Sequence, residues 1–298
     1  MTPPSDGRRI PDWIRFRIPG GKDAARLKGV IKRFGLHTVC MEARCPNVGE
    51  CMGCGTATFL ILGDTCTRNC RYCSVAQGTP RPLDLDEPMR VGGAVGTLGL
   101  AYAVITSVTR DDLIDGGAGH FAETVRAVRE CAPSARIELL IPDFLHAAPN
   151  SLERIFSAAP DVINHNIEVA KPLFKGLRPK GDYSHSLNLL REVSGAGFPA
   201  KSGLMIGFGE STEDITRTLE DLRTAGVSIL TVGQYLQSKR DGFPVARYYH
   251  PDEFEEIGEA AKGMGFLAVR SGPLVRSSYR AGEYATAGAR ALHSGEHT

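Results

Sequence analysis

Three thiols fall within eight residues at Cys66-Thr67-Arg68-Asn69-Cys70-Arg71-Tyr72-Cys73, directly after the apolar run Thr58-Phe59-Leu60-Ile61-Leu62-Gly63. A structural zinc site takes four ligands, usually as two pairs with a spacer. C-x3-C-x2-C instead supplies three thiolates on one side of a site, and an iron-sulfur cubane held that way keeps one iron open to a small molecule. A zinc knuckle completed by a distant residue is the alternative. Tyr72, between the second and third thiols, either lies against a bound ring or packs beneath the loop. A second group, Cys40, Cys45 and Cys51, reads C-x4-C-x5-C and is broken by Pro46 and Gly49, which favour an irregular loop over a helix.

Eight cysteines are present, seven of them between Cys40 and Cys73. The first ten residues lack the apolar core of a secretory signal, so the crowding reads as metal ligation in a cytoplasmic protein rather than as disulfides. Cys131, standing apart, reads as a small buried hydrophobe. Cys54 makes a C-x2-C pair with Cys51, and no role is expected of it.

The elements that must position these thiols follow a βα alternation. Strands are expected near 58–62, 102–107, 136–141, 161–167, 201–206 and 228–233, with helices between them, one opening at Ser211-Thr212-Glu213-Asp214 as a capping box. Such alternation implies parallel strands with right-handed crossovers, and six units suit an open barrel. The fold expected is therefore α/β, a partial (β/α)6 TIM-type barrel with N-terminal and C-terminal extensions, divided as 1–54, 55–240 and 241–298. A helix over 22–34 capped by Gly35 precedes it, and a helix over 252–264 and a short strand over 266–270 follow the sixth unit. Residues 1–20 read as an extended arm anchored by Trp13, Phe16 and Ile18. Polar residues collect where the strands end: Thr106, Ser107 and Arg110-Asp111-Asp112, Asp143, Asn164-His165-Asn166 with Glu168, Glu210 and Gln234. Those ends form the active face of a parallel barrel.

The totals exclude several classes. A chain of 298 residues with 42% apolar content buries a large core. A formal charge of +1 from 35 basic and 34 acidic residues, well mixed, gives no field for nucleic acid or an anionic membrane. No apolar stretch approaches the roughly 20 residues of a membrane span.

C-x3-C-x-aromatic-C after the first strand of a β/α series resembles the signature of radical S-adenosylmethionine enzymes. Gly203-Leu204-Met205-Ile206-Gly207-Phe208-Gly209-Glu210 resembles that superfamily's G-x-I-x-G-x-x-E strand, with Met205 at the isoleucine position. Within the superfamily, Cys40, Cys45 and Cys51 with Arg276-Ser277-Ser278-Tyr279 resemble lipoyl synthases, as do Gly55-Thr56-Ala57-Thr58-Phe59, Ile105 to Leu113, Asn164-His165-Asn166 and Gly233-Gln234-Tyr235-Leu236. The resemblance runs from about Leu36 to about Gly282.

The resemblance implies two 4Fe-4S clusters. One is held by Cys66, Cys70 and Cys73; the other by Cys40, Cys45 and Cys51 with Ser278 as fourth ligand, Ser277 being the alternative. It further implies S-adenosyl-L-methionine at Tyr72, Ser107, Asn166, Gly207 and Glu210. The implied reaction puts sulfur at C6 and C8 of an octanoyl-lysine, with Ser278 and the three radical-loop cysteines catalytic and one S-adenosylmethionine consumed per C–H bond. Implied partners are octanoylated carrier domains (glycine cleavage H protein or 2-oxoacid dehydrogenase E2 subunits), an electron donor and iron-sulfur assembly proteins. For a flexible acyl chain the barrel interior should be apolar and its rim polar. The rivals are a methylthiotransferase-like enzyme, which would want a basic nucleic-acid-binding face, and a non-enzymatic iron-sulfur or zinc protein.

Overall fold

The computed structural model describes residues 10–15, 22–42, 45, 47–238 and 242–283. Its main sheet has eight strands: β1 (His37–Thr38), β2 (Thr56–Ile61), β3 (Tyr102–Ser107), β4 (Arg136–Leu140), β5 (Val162–Asn164), β6 (Ala200–Ile206), β7 (Ile229–Gln234) and β8 (Ala268–Gly272). They lie side by side in chain order, β2 to β8 parallel and β1 antiparallel on β2. Parallel neighbours need long crossovers, and helices supply them. Among the described strands β1 and β8 remain the two edges, so the barrel is open.

All six expected strands form, displaced by a residue or two at most ends, and the strand expected over 266–270 forms as β8 and extends the series. Helix Lys22–Phe34 ends on Gly35 with φ +61°, a left-handed cap that glycine adopts without strain. Helix Thr212–Thr224 opens on the expected box, Asp214 N–H donating to Ser211 Oγ at 3.1 Å and Ser211 N–H to Asp214 Oδ2 at 3.0 Å. Trp13 does anchor its segment, its indole N–H donating to the Tyr249 carbonyl at 3.2 Å. Phe16 and Ile18 lie outside the described residues, as does most of the polar tail.

Strand alternation sorts the side chains. On β3, Ala103 and Ile105 join the outer core with Val91, Val95, Phe121 and Val125 from the helices. Tyr102 and Val104 face inward with Val162, Ile229, Ala268 and Ala281. The interior is not the apolar chamber expected. Lys201 and Glu138, both with 0% exposed side chains, meet inside it at 2.8 and 2.9 Å. Tyr102 Oη and Asn164 Nδ2 each donate to the same carboxylate at 2.9 Å. A buried charge persists only when paired and hydrogen-bonded, and here inward positions of β4 and β6 provide the pair.

Two further expectations change. Cys40 and Cys51 both lie in short helices, Val39–Glu42 and Val48–Gly53, with Gly49 inside the second. Glycine weakens a helix by only about 1 kcal/mol, and buried Val48, Cys51 and Met52 offset that. Cys131 ends helix Ala118–Cys131 and is half-buried rather than buried. Among the described residues no helix is long and apolar enough to cross a membrane.

Candidate active site

The cysteine loop leaves β2 at the end of the barrel where the parallel strands finish. A two-residue parallel ladder, Thr65–Cys66 against Ala76–Gln77, gathers its base. Inside it, Arg68 is 5% exposed and acts as a buried clasp. Its Nε and Nη2 donate to Asp111 at 2.7 and 2.8 Å; Nη1 donates to Asp143 at 2.7 Å and to the Lys180 carbonyl at 3.1 Å. Burial opposes the guanidinium charge, but the two carboxylates outweigh it and push Arg68 above its ordinary value. Asp143, which burial alone would raise, is held below the ordinary carboxylate value by Arg68. Lys180 Nζ donates to the Thr67 carbonyl at 2.8 Å and Arg71 N–H to the Leu177 carbonyl at 2.9 Å, so the loop is tied to both flanks.

The three thiols share this anchored loop. Cys73 N–H closes a turn onto the Cys70 carbonyl at 3.1 Å, and Arg68 N–H points at Cys66 Sγ at 3.4 Å. Burial pushes Cys70 up and Cys73 up to about 11, each raised further by the neighbouring thiols. Tyr72 sets its ring edge on Phe208 at 6.2 Å, and Phe208 stacks on Tyr235 at 4.1 Å.

Around the mouth several buried polar atoms have no partner among the described residues: Ser107 Oγ, Asn166 Oδ1 and Arg178 Nε. Asn166 Nδ2 donates to Glu168 at 3.1 Å, and Glu168 sits at φ +70° with its carboxyl pushed up by burial against the pull of Arg178 and Arg276. Gly203 makes room there, since a Cβ would lie 2.7 Å from Asn166 Oδ1. Glu210 is placed differently. Its carboxylate accepts from the N–H groups of Gly207 (2.6 Å) and Phe208 (3.0 Å) and from Tyr249 Oη (3.0 Å), so it buckles the end of β6. Gly207 crosses close over Gln234, whose side chain in turn binds Arg247 and Tyr249.

The second thiol group lies along the open seam between the N-terminal helices and β8. Cys45 N–H donates to the Cys40 carbonyl at 3.1 Å, and Cys51 feels the charges of Cys40, Cys45 and Cys54. Desolvation pushes Cys40 up to about 11 and Cys51 up to about 12, and raises Cys45. The segment after β8 crosses directly over this group. Asn47 Nδ2 donates to the Leu274 carbonyl at 2.7 Å, Tyr279 Oη to Glu50 at 2.7 Å, and Cys54 Sγ to Glu283 at 3.5 Å. Gly233 permits the crossing, because a Cβ there would stand 2.1 Å from the Val275 carbonyl. Ser277 and Ser278 ride on the turn that Tyr279 N–H closes onto the Arg276 carbonyl at 2.9 Å. Arg276 donates from Nη1 to the Gln234 and Val275 carbonyls, both at 3.1 Å, and is lowered by burial against the pull of Cys45 and Glu168. The Glu168 charge also raises Cys70 and Cys73, so Arg276 acts electrostatically on one thiol group and Glu168 on the other.

Among the described residues no three His, Cys, Asp or Glu side chains converge as the ligand set of one metal ion. A mononuclear tetrahedral site draws its sulfurs to within about 4 Å of each other. A cubane takes each thiolate on a different iron and leaves them farther apart.

Sequence reasoning passed over Arg68, Arg178 and the Glu138–Lys201 pair. The signals were present: an arginine between two ligand-type cysteines, and single charges inside the strands Arg136–Leu140 and Ala200–Ile206 that read as buried.

The family model of the radical SAM superfamily matches residues 60–222, and the model described as the N-terminal domain of lipoyl synthase of the radical SAM family matches residues 3–45. The chain is 49% identical over 288 residues to the lipoyl synthase of Thiobacillus denitrificans, covering 96% of this chain and 93% of that one. It is 50% identical over 276 residues to the lipoyl synthase of Alcanivorax borkumensis, covering 92% and 85%. Among solved structures it resembles methylornithine synthase, with TM-score 0.56, 14% identity and coverage of 81% of this chain and 74% of that one. It also resembles Streptococcus suis SuiB bound to S-adenosylmethionine, with TM-score 0.54, 12% identity and coverage of 72% and 50%. At such identities the structures speak for the fold, the incomplete parallel barrel, while the curated relatives speak for the family. This chain belongs to the lipoyl synthase family of the radical S-adenosylmethionine superfamily.

Proposed function

We infer that this chain inserts two sulfur atoms, at C6 and C8, into an octanoyl group carried on a lysine of a lipoyl carrier domain. Cys66, Cys70 and Cys73 hold one 4Fe-4S cluster, and Cys40, Cys45, Cys51 and Ser278 hold a second that donates the sulfur. The observation that carries this reading is the seam: the Arg276-Ser277-Ser278-Tyr279 turn lies across the helix that carries Cys51, with Tyr279 Oη donating to Glu50 and Asn47 Nδ2 to the Leu274 carbonyl.

The residues fit both kinds of group. Two sets of three thiols are soft donors suited to iron-sulfur chemistry, and the unpartnered Ser107 Oγ, Asn166 Oδ1 and Arg178 Nε leave the mouth short of hydrogen-bond partners that a polar cofactor would provide. When bound, a reduced cluster with S-adenosylmethionine supplies a carbon radical able to take hydrogen from an unactivated carbon, and the second cluster supplies sulfide.

The chain's own contribution is placement. Arg68 fixes the three thiols over the mouth. Ser107 and Asn166 offer hydrogen bonds to the cofactor, Tyr72 and Phe208 form the apolar wall beside it, and Glu210 holds the Gly207 turn in shape. Because burial raises the thiols, loading the metal releases protons, and assembly should favour higher pH. The Ser278 oxygen is harder than thiolate and easier to displace from iron, which suits a cluster that gives up sulfur. The extensions 1–54 and 241–298 build this second site around the 55–240 barrel. The reaction takes place in the cytoplasm, on octanoylated glycine cleavage H protein or 2-oxoacid dehydrogenase E2 domains, served by an electron donor and iron-sulfur assembly proteins.

The test is a single turnover on an octanoyl-lysine peptide with anaerobically reconstituted protein. Ser278→Cys should keep release of 5′-deoxyadenosine near the parent level while suppressing the mass gain from added sulfur. An unchanged yield of sulfur-bearing product would overturn the assignment.

A further inference from the structure

The chain passes from β2 into the cysteine loop through one strained residue. Leu62 is buried at 3% exposure and has φ +68°, a left-handed conformation that a branched side chain adopts only when its surroundings impose it. Both of its backbone polar groups are held by buried charged side chains from later in the chain. Leu62 N–H donates to Glu87 Oε2 at 2.8 Å, and His120 Nε2 meets the same oxygen at 2.8 Å. The Leu62 carbonyl accepts from Arg110 Nη1 at 3.1 Å. Arg110 Nη2 reaches the Arg81 carbonyl at 3.1 Å, and Asp112 holds the guanidinium from the other side at 2.8 and 2.9 Å. Glu87, His120 and Arg110 are 6%, 7% and 2% exposed. Leu62 is where the loop departs, and Arg81 and Glu87 are where it returns. The leucine side chain packs on Gly117, where a Cβ would stand 2.4 Å from Leu62 Cδ1.

We propose that Glu87, His120 and Arg110 are positioning residues that clamp the neck of the cysteine loop, and so fix where Cys66, Cys70 and Cys73 stand over the barrel mouth. The carboxylate is used for its geometry. An isosteric amide at residue 87, with its oxygen in the place of Oε2, accepts from both Leu62 N–H and His120 Nε2–H, the imidazole carrying its proton on Nε2. Removing the side chain leaves the Leu62 amide unpaired and frees the residue to relax toward negative φ, which swings the loop.

The inference rests on the proposed cluster role of the loop only in its spectroscopic arm; amide exchange reads the clamp whatever the loop binds. Holoprotein is compared as parent, Glu87→Ala, Glu87→Gln and Val125→Ala, the last a cavity in the outer core that removes none of the clamp's hydrogen bonds. Glu87→Ala should speed exchange of the Leu62 and Gly63 amides by about tenfold or more. It should also at least halve the change that S-adenosylmethionine makes in the electron paramagnetic resonance spectrum of the reduced cluster. Glu87→Gln should stay within about threefold of the parent in exchange and keep the spectral change. If Glu87→Ala does not accumulate, Arg110→Lys, whose single ammonium cannot replace the fork, carries the same expectation. Exchange within threefold of the parent in the clamp variant, Glu87→Gln behaving like the loss of the side chain, or Val125→Ala moving both readouts equally would each overturn the proposal.

Discussion

Replacing Arg68 with methionine should cost far more than a surface substitution, and the cost should depend on pH in a set direction. Arg68 makes three charge-assisted bonds to carboxylates, two to Asp111 and one to Asp143. Asp111 is 22% exposed, so water takes over part of its debt. Asp143 is 1% exposed, and after the change its nearest cation is Arg178 at 3.8 Å. Stripping one partner from a buried pair costs about 3–5 kcal/mol, and the remaining arginine places this case near 3. That is a large share of the roughly 5–15 kcal/mol that stabilises a domain. In the parent, Asp143 lies below its ordinary value, so its contribution is present above the unfolded value of 3.8 and is lost as pH falls through the lower folded value. Without Arg68, burial dominates and the sign reverses: Asp143 lies above its unfolded value, and the variant loses stability as pH rises. The difference between the two proteins should therefore shrink on acidification from pH 7 toward 4. Urea unfolding of the metal-free proteins across that range measures it. A deficit under 1 kcal/mol, or one that does not change with pH, refutes the clasp; 5′-deoxyadenosine release by the reconstituted variant should fall in parallel.

Two further outcomes are expected. Gly233→Ala drives a methyl into the Val275 carbonyl and displaces the Arg276–Tyr279 turn, so sulfur insertion should drop by about a hundredfold while 5′-deoxyadenosine release stays within a few-fold, as product analysis would show. Lys201→Met should cost about 3–5 kcal/mol in urea unfolding, and adding Glu138→Leu should recover a large part of it; simple addition of the two losses would refute the coupling.

The βα series was legible because its signals are local. β3 spans Tyr102–Ser107, the bounds expected around its β-branched Val104-Ile105-Thr106, and Ser211 and Asp214 close their capping box within a single turn. The thiol groups were legible for the same reason, spacing alone bringing Cys66, Cys70 and Cys73 onto one loop. What spacing does not carry is pairing between distant strands. Glu138 and Lys201 are separated by 63 positions, and only the sheet order shows that both point into one interior. Arg68 with Asp143 is a similar case, 75 positions apart. The helices around Cys40 and Cys51 were missed because Pro46 and Gly49 argue locally for a loop, whereas burial of Val48 and Met52 against the core decides for helix.

The open barrel ties the two sites together. A closed sheet would pair its last strand with its first and leave no place for a second thiol group beside the mouth. Here β1, two residues long, ends at Thr38, shortly before Cys40, and β8 ends at Gly272, shortly before the Arg276 turn, so the two edges deliver their segments to one seam. Backbone groups left by the missing strand pairs still need partners, and side chains meet across the gap: Asn47 with Leu274, Glu50 with Tyr279, Cys54 with Glu283. The contacts across the open seam are therefore the same contacts that hold the Arg276–Tyr279 turn beside the second thiol group. Loosening any of them should impair the seam thiols before it impairs the Arg68-clasped loop, since that loop takes its anchors from Thr109, Asp111, Asp143 and Lys180 on the far side of β2.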